Sequence, residues 1–197
     1  MAVRMGLRIV LTVGLAFPDP PLAAAGIVLR HLNCGDIPWI TAACSDGELS
    51  HYIPVIPYPY SQADARFFLD HAAQSWATGT GATYVIADVA SNVGLGTIGL
   101  HLDPQDAGLA EVGYWLCRAA RGQGAATAAV RLVSAWAFEK LGIQRLNLVT
   151  APENAPSQRV AERAGFMREG LLRAWSPTPA GRRDSVMFSL LPQAFDP

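Results

Sequence analysis

The chain has 197 residues, of which 51% are hydrophobic and 16% are charged, and its formal net charge is −1. This length suits one domain, or one domain with an added arm, and the apolar content allows a sizeable buried core. The charge balance gives no general attraction for nucleic acid or for an anionic membrane, so we expect neither as a partner.

The cysteines and histidines form no disulfide or metal pattern. Cys34, Cys44 and Cys117 are odd in number and lack a CxxC spacing, which argues against a disulfide framework and a zinc site. The four histidines are scattered, and we interpret them as ordinary surface or core residues. We therefore expect no metal site.

Residues 1–25 have an unusual composition. Arg4 and Arg8 precede an apolar run that is followed by small residues at positions 23–25, which resembles a signal peptide. The run is too short for a membrane helix. An extra strand over residues 7–15, or a start codon assigned too far upstream, would also explain it. Because the remaining sequence is typical of an intracellular enzyme, we expect a cytoplasmic protein with an N-terminal extension.

The first half of the chain predicts one strand, two helices and a three-stranded antiparallel meander. Asp36 is predicted to cap the first helix, and Ser61 and Asp64 form a capping box at the second. The predicted ranges are strand 26–32, helix 37–43, helix 62–78 and strands 83–88, 93–102 and 110–117.

The segment HYIPVIPYPY, residues 51–60, lies between the two predicted helices and contains three prolines and three tyrosines. Proline removes a backbone donor, so this segment forms neither a regular helix nor a central strand. It is interpreted either as a packed connector or as the lining of a pocket.

The second half changes to an alternating pattern. We predict helix 124–141 ended by Gly142, strand 145–150, a helix that begins near Pro156 and stops at Gly165, and strands 166–172 and 183–190. A strand, helix, strand unit favours a parallel or splayed pair of strands. The order predicts one mixed α/β domain without internal repeats.

Residues 117–128 read CRAARGQGAATA and join a predicted strand to a predicted helix. Gly122 and Gly124 allow the backbone to bend and a ligand to come close, and the first amides of the helix have no intrahelical partner. Arg118 and Arg121 add local positive charge, so the loop predicts a phosphate site. It matches neither the P-loop nor the dinucleotide-binding pattern, and a tight turn without a ligand is the alternative.

This loop resembles the first signature of the GNAT acetyltransferase superfamily, Gln/Arg-x-x-Gly-x-Gly/Ala, which binds the pyrophosphate of acetyl-CoA. Arg121, Gly124 and Ala126 fill the pattern. Further along, NAPSQRVAERAGF resembles the second signature, an Asn-x-x-Ser/Ala segment that ends in Gly-Phe, with Asn154 and Ser157 in the first two places.

The resemblance covers residues 26–192 and leaves 193–197 as a tail. It is closest to the branch that acetylates ribosomal-protein N-termini, and it implies the acyl-CoA N-acyltransferase fold. That fold is a single mixed α/β (α+β) domain with a mostly antiparallel central sheet, two splayed parallel strands and flanking helices. The splayed strands would be 110–117 and 145–150.

The resemblance also implies that acetyl-CoA binds in the cleft between these strands as a co-substrate. Backbone amides near Leu116 and Cys117 would bind the pantetheine arm and polarise the thioester. The implied cofactor-binding residues are Leu116, Cys117, Arg118, Arg121, Gly122, Gln123, Gly124, Ala125, Ala126, Thr127 and Asn154.

Two residues are candidates for catalysis. Many family members have a tyrosine acid where this chain has Ala161, so that acid is absent here. In the ribosomal branch a serine in the place of Ser157 is the proposed hydrogen-bond donor to the leaving sulfur; a first-turn helix residue bonded to the backbone is the alternative. Glu111 is the candidate base. Alternatively, Glu111 is only a solvated carboxylate at the start of a strand, and water carries the amine proton away. By period two Glu111 lies on the strand face opposite Tyr114.

The sequence therefore predicts an enzyme that transfers the acetyl group of acetyl-CoA directly to a primary amine. The acceptor would be a protein N-terminus or a small-molecule amine, bound by residues 37–62 and 174–181. A CoA-binding regulatory module without catalysis is the main alternative, and a structural α/β protein without CoA is a weaker one. Dimers are frequent in the family, so a homodimer is considered.

Overall fold

A computed structural model describes residues 14–195 of the chain. Its strands are β1 (Ala23–Ala24), β2 (Ile27–Arg30), β3 (Gly81–Asp88), β4 (Gly94–Leu102), β5 (Leu109–Leu116), β6 (Arg145–Thr150), β7 (Met167–Thr178) and β8 (Gly181–Leu190). Its α-helices are α1 (Ile37–Cys44), α2 (Glu48–Tyr52), α3 (Gln62–Thr78), α4 (Ala125–Leu141) and α5 (Ala155–Arg163).

The strands form one eight-stranded sheet in the order β1-β2-β3-β4-β5-β6-β8-β7. Every neighbouring pair is antiparallel except β5 and β6, which are parallel. The crossover between these two strands is α4, as a parallel pair requires. The predicted mixed, mostly antiparallel sheet with flanking helices is confirmed.

Two apolar clusters meet at β5, one on each of its faces. Val112 and Leu116 belong to the larger cluster, which contains the buried residues of α4 and Ala161 of α5. Trp115 belongs to the smaller cluster, together with residues of α1 and α3. This alternation along β5 agrees with the period-two interpretation and separates two sides of the sheet near the predicted site.

The predicted helix starts and stops are mostly confirmed. Ser61 and Asp64 form the capping box of α3, and Gly142 ends α4 in the left-handed conformation. The prediction for Asp36 is wrong, because its side chain makes no cap bond to α1. Its buried carboxylate accepts hydrogen bonds from Arg30 and Trp39 instead. Burial alone would raise the pKa of Asp36, but these hydrogen bonds lower it.

Two segments differ from the prediction. The short helix α2 was not predicted, and it extends into the first two residues of the 51–60 segment; residues 53–60 contain no regular helix. Residues 174–181 were predicted to be irregular, but 174–178 complete β7, which turns directly into β8. β7 is an edge strand, so it tolerates Pro177, which lacks a backbone donor.

The N-terminal segment packs against the domain. Leu15 donates its amide to the Trp76 carbonyl, Phe17 packs against Trp76 and Tyr84, and β1 pairs with β2. The strand predicted over 7–15 falls outside the described residues except for its last two positions, which are not in a strand. The signal-peptide interpretation also falls largely outside them.

Candidate active site

The two parallel strands open into a cleft. β5 and β6 pair only over residues 109–111 and 145–147, although they continue to Leu116 and Thr150. A short connection leads from β5 to α4, and another leads from β6 to α5. The N-termini of two helices therefore border the same cleft and place partial positive charge there.

The glycine loop adopts a conformation that requires glycine and leaves space above it. Gly122 and Gly124 have φ values of 76° and 86°, in the left-handed region that other residues rarely adopt. A Cβ atom added to either would meet no other protein atom within 4 Å. The bare backbone is therefore not explained by tight packing within the protein, and the space above it is open.

The first turn of α4 supplies donors to this space. Gly124 is the N-cap and makes no side-chain cap bond, so the amides of Ala125, Ala126 and Thr127 have no partner within the helix. Gln123 donates a hydrogen bond from its side-chain amide to the Ala119 carbonyl, which ties this side chain to the preceding turn. Free backbone amides at a helix N-terminus can bind an anion such as phosphate.

Both loop arginines contact one carboxylate. Arg121 Nη1 lies 2.7 Å from Glu48 Oε1, and Arg118 Nη2 lies 3.1 Å from Glu48 Oε2. Arg121 also donates from Nε to the Leu116 carbonyl at 3.2 Å. The two positive charges are thus brought together at the start of α4, as the sequence predicted, but an acidic residue from α2 shares them.

The hydrogen-bonding edges of β5 distinguish Leu116 from Cys117. The Cys117 amide donates to the Leu95 carbonyl at 2.8 Å, which points it away from the cleft. In an antiparallel pair successive residues direct their amides to opposite edges. The Leu116 amide therefore points toward the cleft, whereas the Cys117 amide is already bonded to β4.

Ser157 lies at the N-terminus of α5 with two partners. Its backbone amide donates to Asn154 Oδ1 at 3.1 Å, and its Oγ accepts a hydrogen bond from the Tyr114 hydroxyl at 3.2 Å. Asn154 is therefore the N-cap of α5, as predicted. Burial raises the pKa of Tyr114 and outweighs the opposing effect of the Ser157 hydrogen bond, so the phenol stays protonated and acts as a donor.

Glu111 lies at the last paired position before the strands separate. It pairs with Asn147 across the parallel ladder and with His101 across β4. Although its side chain reaches solvent, crowding by protein atoms raises its pKa. Its strand position directs it to the face opposite Tyr114.

Sequence reasoning missed two residues of this site. Tyr114 was placed on its strand face, but a tyrosine was sought only at position 161, on α5. Glu48 lies in the unpredicted helix α2, far along the chain from the arginines it contacts. The period-two pattern of β5 was the one available signal for Tyr114, whereas no local pattern indicated Glu48.

The part of the chain that the structure describes contains no candidate metal site and no candidate membrane span. No group of three or more histidine, cysteine, aspartate or glutamate side chains is placed to hold a metal ion there. None of the helices between residues 14 and 195 is long and apolar enough to cross a membrane.

Comparison with known proteins assigns the family. A family model described as an acetyltransferase (GNAT) domain matches residues 27–167. The uncharacterized N-acetyltransferase p20 of Bacillus licheniformis is 28% identical over 169 residues, which cover 86% of this chain and 94% of that protein.

Solved structures share the fold. The ribosomal L7/L12 alpha-N-protein acetyltransferase RimL, in complex with coenzyme A, has a TM-score of 0.78 at 20% identity, covering 88% of this chain and 98% of that one. A spermidine N-acetyltransferase from Vibrio cholerae, in complex with CoA and spermine, has a TM-score of 0.72 at 20% identity, covering 87% and 98%. With the family model matching most of its length, the chain belongs to the GNAT acetyltransferase family and is an acyltransferase enzyme.

Proposed function

We propose that this protein is an N-acetyltransferase that transfers the acetyl group of acetyl-CoA directly to a primary amine. The observation that carries the proposal is the cleft between β5 and β6, where paired strands separate beside a glycine loop and two helix N-termini. A cytoplasmic location and a homodimer stay predictions.

The chain's own groups would hold the cofactor in this cleft. The amides of residues 122–127 and the guanidinium groups of Arg118 and Arg121 would bind the diphosphate. The Leu116 amide, directed into the cleft, would bind the pantetheine arm. It would also donate a hydrogen bond to the thioester carbonyl oxygen as negative charge develops on that oxygen. When bound, acetyl-CoA supplies the thioester that an amine attacks.

The Tyr114 and Ser157 hydroxyls would assist the leaving sulfur. Because the Tyr114 hydroxyl donates a hydrogen bond to Ser157 Oγ, the Ser157 hydroxyl proton is free to point at another acceptor. A tyrosine that donates to the serine also strengthens it as a donor. The sulfur would therefore receive a hydrogen bond from Ser157, with Tyr114 as the second member of the pair.

Glu111 would act on the other side of the sheet. Its carboxylate lies on the strand face opposite Tyr114, so the proton acceptor for the amine and the donor to the sulfur would approach the transferred group from different sides. This separation supports direct transfer, because an incoming amine would not have to share space with the departing thiol. Because its pKa is raised, this carboxylate is a stronger base than an ordinary glutamate, which suits a proton acceptor.

The acceptor remains a protein N-terminus or a small-molecule amine. The two structural neighbours have different acceptors in their names, so the shared fold does not choose between them. A groove between Pro54 and Val55 on one side and residues 177–179 on the other is mainly apolar. None of the described residues that line this groove carries a carboxylate, so a polyamine would find no charge partner if the acceptor bound there.

Calorimetric titration with acetyl-CoA tests the proposal. We expect micromolar binding for the wild type and its loss for Gly124→Glu, because the added carboxylate would enter the phosphate position. Gly142→Glu is the matched control: Gly142 also has a positive φ and an open Cβ position, but it lies at the other end of α4. Equal acetyl-CoA binding by both variants would show that the glycine loop is not part of the cofactor site.

Release of free CoA thiol in the presence of an amine panel tests catalysis. Turnover with any primary amine supports the transferase. CoA binding without turnover across protein N-termini, amino acids and amino sugars would favour the regulatory module instead.

A further inference from the structure

Helix α2 lies across the mouth of the cleft and contacts the segments that border it. At its start, Glu48 pairs with Arg118 and Arg121 in the connection after β5. At its end, Arg183 of β8 donates to the His51 and Tyr52 carbonyls. The His51 imidazole also lies 3.9 Å from the Glu153 carboxylate, in the connection after β6.

The contacts at the two ends of α2 differ in kind. Arg183 satisfies backbone carbonyls at the C-terminal end of the helix, where no ligand is expected to compete for it. Glu48, in contrast, contacts the same two guanidinium groups that would recognise phosphate. A carboxylate and a phosphate oxygen accept the same charge-assisted hydrogen bonds from arginine.

Charge reinforces this competition. The hydrogen bond from Arg121 is the main cause that lowers the pKa of Glu48, so the carboxylate is ionised at neutral pH. An ionised carboxylate beside a bound diphosphate is a like-charge pair, which is unfavourable. Glu48 and a phosphate therefore cannot both be accommodated on the two arginines without cost.

We propose that Glu48 is an internal anion that competes with the phosphates of acetyl-CoA for Arg118 and Arg121. Cofactor binding then detaches the start of α2 from the glycine loop, while Arg183 keeps its end on β8. The inference rests on the proposed function, because it needs the cofactor phosphates at this loop. It adds a link between the cofactor site and the segment that follows α2, in which Pro54 and Val55 line the apolar groove.

Calorimetry with CoA on Glu48→Gln tests the competition. The substitution keeps the size of the side chain and removes its charge, so we expect the dissociation constant for CoA to fall by roughly fivefold, the size of an exposed ion-pair effect. Glu153→Gln is the matched control, since Glu153 also lies beside α2 but does not contact the loop arginines; its affinity should equal that of the wild type. Unchanged or weaker binding by Glu48→Gln would overturn the proposal.

Hydrogen exchange gives a second measurement that does not depend on activity. In the wild type, saturation with CoA should speed amide exchange in residues 47–53, because the helix loses one of its anchors. In Glu48→Gln the same segment should exchange fast both with and without CoA. Protection of 47–53 by CoA would overturn the proposal. A wild type that binds no CoA would overturn the proposed function itself, so the two failures are distinguishable.

Discussion

The Ser157 hydroxyl derives its suggested role from its neighbours. A serine hydroxyl is a weak acid, and in the first turn of a helix it commonly bonds to the backbone. Here its own backbone amide is bound by Asn154, and its Oγ accepts from Tyr114. The Ser157 hydroxyl proton is therefore the proton of this hydroxyl pair that is free to hydrogen-bond to the sulfur of a bound thioester.

Substitution of these two hydroxyls tests that role. We expect Ser157→Ala to lower kcat by more than about tenfold with little change in CoA affinity, within the range of proton-transfer groups. Tyr114→Phe should cause a smaller loss, because the serine remains but loses its donor. Steady-state kinetics and calorimetry measure both effects. An unchanged kcat in Ser157→Ala would leave the serine as a helix residue only.

The pH dependence of the reaction tests Glu111. Only the ionised carboxylate accepts a proton, and crowding by protein atoms raises the pKa of Glu111, so activity should rise with pH through a value above the usual one for glutamate. Glu111→Gln should lower kcat/KM by at least about tenfold and remove this acid limb. Glu139→Gln, an exposed residue of α4, serves as the control. If Glu111→Gln keeps the acid limb of the pH profile, that limb belongs to another group. Water would then carry the amine proton away.

At the scale of elements, two helices begin in the same way but serve different parts of the molecule. Ser61 caps α3 by accepting from the Asp64 amide, and Asn154 caps α5 by accepting from the Ser157 amide. The start of α3 is exposed, whereas the start of α5 borders the cleft. Loss of the cap should therefore affect activity at α5 but not at α3.

Alanine substitution at each cap separates stability from function. Ser61→Ala and Asn154→Ala should each lower the free energy of unfolding by about 1 kcal/mol, the usual loss for an N-cap. Only Asn154→Ala should also lower kcat, because it releases the backbone that positions Ser157. Urea unfolding and steady-state kinetics give the comparison. Equal kcat values in the two variants would show that the cap does not position the serine.

At the scale of the whole molecule, residues 14–25 contribute to the main core. Phe17 packs against Trp76 and Tyr84, which join the end of α3 to β3. This side chain is half-buried, and the large cluster that it touches includes the apolar face of α4. Residues 14–25, the described part of the predicted extension, therefore contribute to the packing of the domain.

A pair of phenylalanines tests this contribution. Phe17→Ala should lower the free energy of unfolding by about 2 kcal/mol, less than a fully buried phenylalanine because the side chain is half-buried. Phe67→Ala should change it little, since 73% of Phe67 is exposed. Urea unfolding measures both variants. Similar losses for the two would mean that the N-terminal segment adds no specific packing.

The sequence by itself determined the features that depend on neighbouring residues. The capping residues, the left-handed glycines and the exact range of β6 follow from signals within a few positions, because a cap reaches only the first turn of its helix. The glycine loop and the Asn154 motif were recognisable for the same reason. Asp36 was misassigned because its carboxylate binds the partly buried Arg30, six positions earlier, instead of capping α1.

Only the tertiary structure decided which of these local features meet. Tyr114 and Ser157 are 43 positions apart, Glu48 and Arg121 are 73 apart, and Arg183 and His51 are 132 apart. Such contacts depend on strand register and on how the crossover passes from β5 to β6, and no local pattern records either. The residue types of the site were therefore readable from the sequence, but the hydroxyl pair and the carboxylate between the arginines required the folded chain.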